Sequence, residues 1–179
     1  MTGEHEVSLY SSTIPQMRKM LKNMQGWLTE AEQYAEDRGF HPDRFVTARL
    51  HLDQFELVRQ VQAACDNLKG AASRLSGREA PKHEDTESTF EEMKARIEKV
   101  LAYTDDLTEA DFAGAEDRVI SLPFLPPTKG ATAEAYAIEF ALPNFYFHVT
   151  TAYAILRHSG VKLGKRAYIG GMELIDVEA

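Results

Sequence analysis

Tyr10, Ile14, Met17, Leu21, Met24, Leu28, Ala31 and Ala35 recur at steps of four and three, the spacing that gathers apolar side chains into one stripe of an α-helix. This pattern predicts a long first helix over 13–38, with Ser12 or Thr13 as its cap, Pro15 in its first turn and Gly39 as its stop. From His41 to Asp53 the apolar spacing is too short for a core helix, and Pro42 with Asp43 marks a connection of one or two turns. Leu57, Val61, Ala64, Leu68, Ala71 and Leu75 then define a second long helix over 54–76, closed by Gly77. Phe90, Met93, Ile97, Val100 and Leu101 define a third over 88–106, with Asp85 or Ser88 as its cap and Glu91, Lys94, Glu98 and Lys99 on its polar face.

Beyond Thr108 the pattern breaks. Gly114, Pro123, Pro126, Pro127 and Gly130 do not fit together in a regular helix, so the segment reads as a long irregular connection. Within it Arg118 to Leu122 alternates weakly, compatible with a short strand as one arm of a hairpin. A fourth helix over 132–159 is apolar on most sides, as a buried helix should be. Pro143 falls inside it and either bends one helix or opens a second at its first position. The remainder from Lys162 is mixed and ends acidic, a tail that packs loosely or reaches another subunit. The fold class that follows is all-α: a single domain over 1–179 built as an antiparallel four-helix bundle.

Composition narrows the partners. A chain of 179 residues with 44% hydrophobic and 27% charged residues suits one globular domain with a sizeable core. Its net charge of -8 argues against nucleic acid and anionic membrane surfaces, both of which need a basic face. The single Cys65 excludes an internal disulfide, and with no basic-then-apolar leader the expected location is the cytoplasm. A homodimer is expected from the seam of the first helix and from Phe112, Phe124 and Leu125, which exceed what a small bundle needs for its own core.

The candidate chemistry lies on the fourth helix. Asn144 and His148 stand one turn apart on an otherwise apolar surface, which places two polar groups on one wall of the core. A lone histidine there is commonly a core group satisfied by one hydrogen bond. It is equally the residue type that moves protons near neutral pH. Asp53 precedes the second helix, as a cap or as a further carboxylate for the site, and Tyr10, Tyr146 and Tyr153 have hydroxyls that reach inward or simply pack. His51 and Asp53 meet only if their segment is extended, since on a helix they point about 200° apart. His158 with Arg157 suits the helix C-terminus, Cys65 reads as a small buried residue, and His5, His41 and His83 read as solvated. The run from Lys82 to Glu87 reads as a solvated loop.

Two stretches resemble a known family. Leu156-Arg-His-Ser-Gly-Val161 is similar to the Leu-Arg-x-x-Gly-Val ending of the last core helix in DinB-like bundles, where a His-x3-His pair precedes it. Counting back places His148 on the second histidine and Asn144 on the first. A third histidine of that family stands in a Leu-x-x-His pattern, matched here by Leu57-Val-Arg-Gln60. The run Phe55 to Gly77, with Pro143-Asn-Phe-Tyr-Phe-His148 and Gly164-Lys165, resembles an uncharacterised branch of the same superfamily, a domain of unknown function. The resemblance implies a DinB-like four-helix bundle in a superfamily that includes metal-dependent thiol transferases and a maleylpyruvate isomerase. Gln60 and Asn144 replace two imidazoles, and amide oxygens are poor partners for zinc or nickel beside one imidazole. No metal and no cofactor are therefore expected. The functional expectation is a metal-independent enzyme on a small molecule, with His148 and Asp53 catalytic and Gln60, Asn144, Tyr10 and Tyr153 binding substrate. The alternative is a small-molecule binder or structural dimer whose polar core only fixes helix register.

Overall fold

A computed structural model describes residues 7–175. Helix α1 spans Ile14–Asp37 and α2 Leu57–Ser76, while α3 spans Phe90–Tyr103. Helix α4 is continuous through three segments, Ala133–Ala135, a π-helical stretch Tyr136–Ala141, and Leu142–His158. A short α5 follows at Lys165–Ile169, and 3-10 turns lie at Pro42–Phe45 and Glu109–Phe112. Strands β1, Val119–Ile120, and β2, Ala131–Thr132, pair antiparallel as the expected hairpin, Val119 opposite Thr132. No helix among the described residues is long and apolar enough to cross a membrane.

Polar contacts fix the helix directions. Gln25 reaches Glu98 and Glu32 reaches Lys94, so α1 and α3 are antiparallel. Gln60 meets His148 while Asn67 meets Asn144, so α2 and α4 are antiparallel too. By contrast Asp66 meets Arg96 and Arg78 meets the Tyr103 carbonyl, so α2 and α3 run the same way. Two successive parallel helices require the chain to travel back the length of one of them. At 1.5 Å per residue α2 is about 30 Å long, and the extended chain between Gly77 and Thr89 covers that distance at about 3.3 Å per residue.

This return segment is not the solvated loop its composition suggests. Arg96, 1% exposed, gathers it: the guanidinium donates to the Glu84 carbonyl at 3.1 Å, Glu87 at 3.0 Å, Asp85 at 3.3 Å and Asp66 of α2 at 2.8 Å. A buried cation is tolerable only when paired in this way. His83 is drawn in as well. Its Nδ1 is buried without a partner among the described residues, and burial, with the charges of Lys69 and Arg96, lowers its pKa. His5 lies outside the described residues. The cap of α3 is Thr89 rather than Asp85 or Ser88: Thr89 and Glu92 form a reciprocal capping box, which satisfies two free amides where one acceptor at Ser88 would satisfy one.

The C-terminal segment is docked as far as α5. Trp27, 1% exposed, donates to the Ala167 carbonyl at 2.9 Å and stacks on Tyr168, and Asn23 donates to the Tyr168 carbonyl. Cys65 is buried, and burial pushes its thiol pKa up, so it stays an inert thiol.

Replacing Arg96 with Met roughly keeps the volume but leaves Glu87 without its cation and Asp66 with Lys69 alone. We expect a loss near the lower end of the roughly 3–5 kcal/mol seen when one buried partner is removed, because Asp66 is partly solvated. Chemical denaturation measures it, and hydrogen exchange should locate the loosening at 78–89. Burial alone would raise the Asp66 pKa, but Lys69 and Arg96 outweigh it and hold the carboxyl below its ordinary value of 3.8. Its contribution is therefore complete above 3.8 and is lost as pH falls through the lower folded value.

Candidate functional site

Helices α2 and α4 face each other along their length, and a cleft of about 280 Å³ opens between them. From α2 it is lined by Arg59, Ala63, Asp66, Asn67 and Arg74, one face of the helix at steps of four, three, one and seven. From α4 come Tyr136, Phe140, Asn144 and His148, four residues at an unbroken step of four. Leu122, Pro123 and Phe124 of the long connection close one side. Sequence reasoning found the last two members of the α4 stripe and stopped at Pro143. The signal for Tyr136 and Phe140 was the same spacing read two turns further back.

Pro143 neither ends α4 nor opens a second helix. Lacking an amide hydrogen, it cannot donate to the carbonyl four residues back. The preceding turn widens instead, with the Leu142 amide donating to the Ala137 carbonyl five residues away. This π-helical segment carries Tyr136 and Phe140, whose rings lie 6.1 Å apart, and Phe124 packs on Phe140 at 5.2 Å. The proline thus shapes the cleft wall through the turn before it.

The orientation of His148 follows from hydrogen-bond chemistry. Gln60 Nε2 donates to the Phe55 carbonyl at 3.2 Å, which can only accept. That fixes the amide with its oxygen toward His148, so the imidazole Nδ1, 2.8 Å away, must be the donor. The neutral tautomer therefore carries its proton on Nδ1 and its lone pair on Nε2, which has no partner among the described residues. His148 is 8% exposed. Burial lowers its pKa, and the nearby charge of Arg59 lowers it further. Phe55 stacks on the ring at 6.5 Å and Phe147 meets it edge-on at 5.2 Å.

Midway along the cleft, Asn144 Nδ2 donates to Asn67 Oδ1 at 2.8 Å, while Asn67 Nδ2 donates to the Ala63 carbonyl. The Asn144 Oδ1 is left without a protein donor among the described residues. At the far end Arg74 donates to the Tyr136 hydroxyl at 3.3 Å. Burial raises the Tyr136 pKa, with Arg74 opposing.

The other expected site residues lie elsewhere. Asp53 is 83% exposed and paired with His51 at 2.6 Å in the loop before α2. It neither caps that helix nor approaches the cleft, because α2 starts later and Glu56 holds the cap position. His51 and Asp53 meet in a tight turn, closed by the Gln54 amide donating to the His51 carbonyl at 3.1 Å, and not in the extended segment expected. Tyr10 donates to the Leu107 carbonyl at 2.8 Å and packs on Phe112, and Tyr153 donates to the Leu163 carbonyl at 3.1 Å beside Trp27. Both are packing residues whose hydroxyls satisfy backbone carbonyls outside the helices.

The family described as a domain of unknown function (DUF1993) matches residues 9–169. The chain belongs to this family. A crystal structure of a DinB family member protein from Shewanella denitrificans is 46% identical to it, covers 94% of this chain and 96% of that one, and superposes with a TM-score of 0.90. No curated protein matches. The DUF1993 chain is thus a DinB-like protein, and the metal chemistry associated with that superfamily has to be tested on its own donors. They do not fit. Gln60 Oε1 is occupied by His148, Asn144 turns its amide nitrogen to Asn67, and among the described residues no three His, Cys, Asp or Glu side chains are grouped to hold a metal ion.

A double-mutant cycle tests the His148 assignment. His148→Phe alone strands the buried Gln60 carbonyl and should cost about 1–3 kcal/mol, whereas adding Gln60→Leu removes both partners and should recover most of it. Additive losses would contradict the hydrogen bond. Nitrogen-15 spectra should show His148 titrating below 6.5, its ordinary value, as the Nδ1–H tautomer. The unfolded chain takes up this proton first, so the stability tied to neutral His148 is complete above 6.5 and declines as pH falls through the lower folded value.

Proposed function

We propose that this DUF1993 protein is a metal-independent enzyme of isomerase, lyase or transferase type acting on a small molecule, with His148 as its proton acceptor. The observation that carries the reading is the Phe55 carbonyl–Gln60–His148 chain of hydrogen bonds, which fixes the tautomer with its lone pair on Nε2 in a ring that lines the cleft, while burial and Arg59 favour its neutral form. A base works best when its pKa lies near or below the working pH and its proton-accepting nitrogen is fixed. Gln60 and Asn144 are read as orienting groups, the first through His148 and the second by direct contact with substrate. Asp53, Tyr10 and Tyr153 have no part in it.

A second reading has its own support. Asn67 and Asn144 satisfy each other across the two helices, as a polar pair that only fixes register would. His148→Gln separates the two. The enzyme reading expects turnover of carbonyl or aromatic substrates, found by metabolite-panel screening, to fall by a factor of about 10² or more with binding retained. A variant that keeps turnover while its melting temperature drops points to the structural reading.

A homodimer belongs to the same proposal. Phe112 is 5% exposed and serves this chain's own core, whereas Phe124 is 64% exposed; Phe55 and Phe147, 53% and 60% exposed, flank the His148 ring and add to the apolar surface. Light scattering should give twice the chain mass of 20.1 kDa, and a monomer at tens of micromolar would remove the dimer from the proposal.

A further inference from the structure

The charges around the cleft are balanced with one exception. Arg59 pairs with Asp85 and donates to Gln62. Asp66 is held by Lys69 and Arg96, each at 2.8 Å. Arg74 has no carboxylate partner among the described residues and meets only the neutral Tyr136 hydroxyl, with its guanidinium 5.7 Å from the Tyr136 ring centre. It is half-buried rather than waving in solvent.

Its position depends on Gly70. A Cβ on Gly70 would collide with the Arg74 guanidinium and would also approach the Tyr136 hydroxyl at 3.9 Å. A glycine inside a helix is destabilising relative to alanine. Here it lets the arginine fold back over α2 and lie beside Tyr136 at the cleft's end. The planar guanidinium fork presents paired donors to a carboxylate.

Three unfilled groups thus follow in order along the cleft: the Arg74 cation, the Asn144 Oδ1 acceptor and the His148 Nε2 acceptor. Gly70 and Gln60 are ten residues apart on α2, about 15 Å along the axis at 1.5 Å per residue, so a ligand touching both ends is elongated. We propose that Arg74, seated on Gly70 beside Tyr136, anchors the carboxylate of an elongated monoanionic acid whose other end carries a hydroxyl. The apolar body lies along Phe140 and Phe124, and the hydroxyl donates to His148 Nε2. One unpaired cation in a chain of net charge -8 suits a single negative charge and disfavours phosphate, which at neutral pH carries more. This rests on the reading of the cleft as a small-molecule site and adds the class of ligand to it.

Binding of 4-hydroxyphenyl carboxylates, with side chains from acetate to hexanoate, is measured by calorimetry on the full chain, alongside the matching primary amides and inorganic phosphate. At least one carboxylate should bind saturably at millimolar concentration, and its amide at least about tenfold more weakly. Arg74→Gln should weaken the carboxylate at least about tenfold with an unchanged melting temperature. Gly70→Ala should do the same with a melting temperature unchanged or raised. The proposal is overturned if no carboxylate binds saturably, if amide and acid bind alike, if Arg74→Gln binds as the wild type does, or if phosphate displaces the acids as the stronger ligand. Turnover lost on replacing His148 together with wild-type binding in Arg74→Gln would remove the anion site alone. Carboxylate binding lost in Arg74→Gln with turnover indifferent to His148 would remove the acid–base reading alone.

Discussion

The register between α2 and α4 is the constraint on which the rest of the structure depends. Three polar crossings lie in sequence along it: Gln60 to His148, Asn67 to Asn144 and Arg74 to Tyr136. Around them small buried side chains, Ala64 and Ala71 on one helix and Ala137, Ala141 and Ala152 on the other, let the helices approach closely. A slip of one turn, about 5.4 Å, would unmake all three crossings at once and leave the buried Gln60 amide without His148. Hydrophobic packing alone tolerates such slips, since one alanine contact resembles the next. The polar pairs therefore select the arrangement, and the cleft is where their side chains hold the helices apart.

Separate polar contacts set the directions of α1 and α3 against that pair. With α3 running parallel to α2, the chain between them must return along the bundle, and its acidic residues meet the buried Arg96 from α3. Arg96 also contacts Asp66, itself a cleft residue, so the return segment and the cleft wall share one ion cluster. Glycine and proline shape the other end. Gly70 opens the seat for Arg74, and Pro143 widens the turn that carries Tyr136 and Phe140.

How much of this was legible in the sequence depended on whether a feature is periodic. The span of α1, the closure of α2 at Gly77 with φ of 78°, and the irregular connection with its hairpin could all be read from apolar spacing and breakers, because those signals are local. Asn144 and His148 stood out as polar groups on an apolar helix. Asp53 was misplaced because a carboxylate ahead of an apolar run reads as a cap, and only the tertiary contacts of the loop show that α2 begins beyond Glu56. The widened turn was invisible because one extra residue in a hydrogen-bond ladder leaves hydrophobicity unchanged. Arg74 was invisible for a related reason: near a helix end it reads as a charge facing the dipole, and its true seat is created by an atom that Gly70 lacks.

The two ends of the cleft are also kept apart electrically. The neutrality of His148 rests on burial and on the charge of Arg59, groups at its own end. A negative ligand group held at Arg74 would lie about 15 Å away along the helix axis, beyond the Debye length of about 8 Å at physiological ionic strength. Where solvent reaches between them, its pull toward protonating the imidazole is therefore weak. Were Arg74 one helical turn from His148, the same anion would favour the imidazolium and remove the free lone pair as it bound. On the proposed reading, the length of the α2–α4 interface is what would let one site combine an anion anchor with a neutral base.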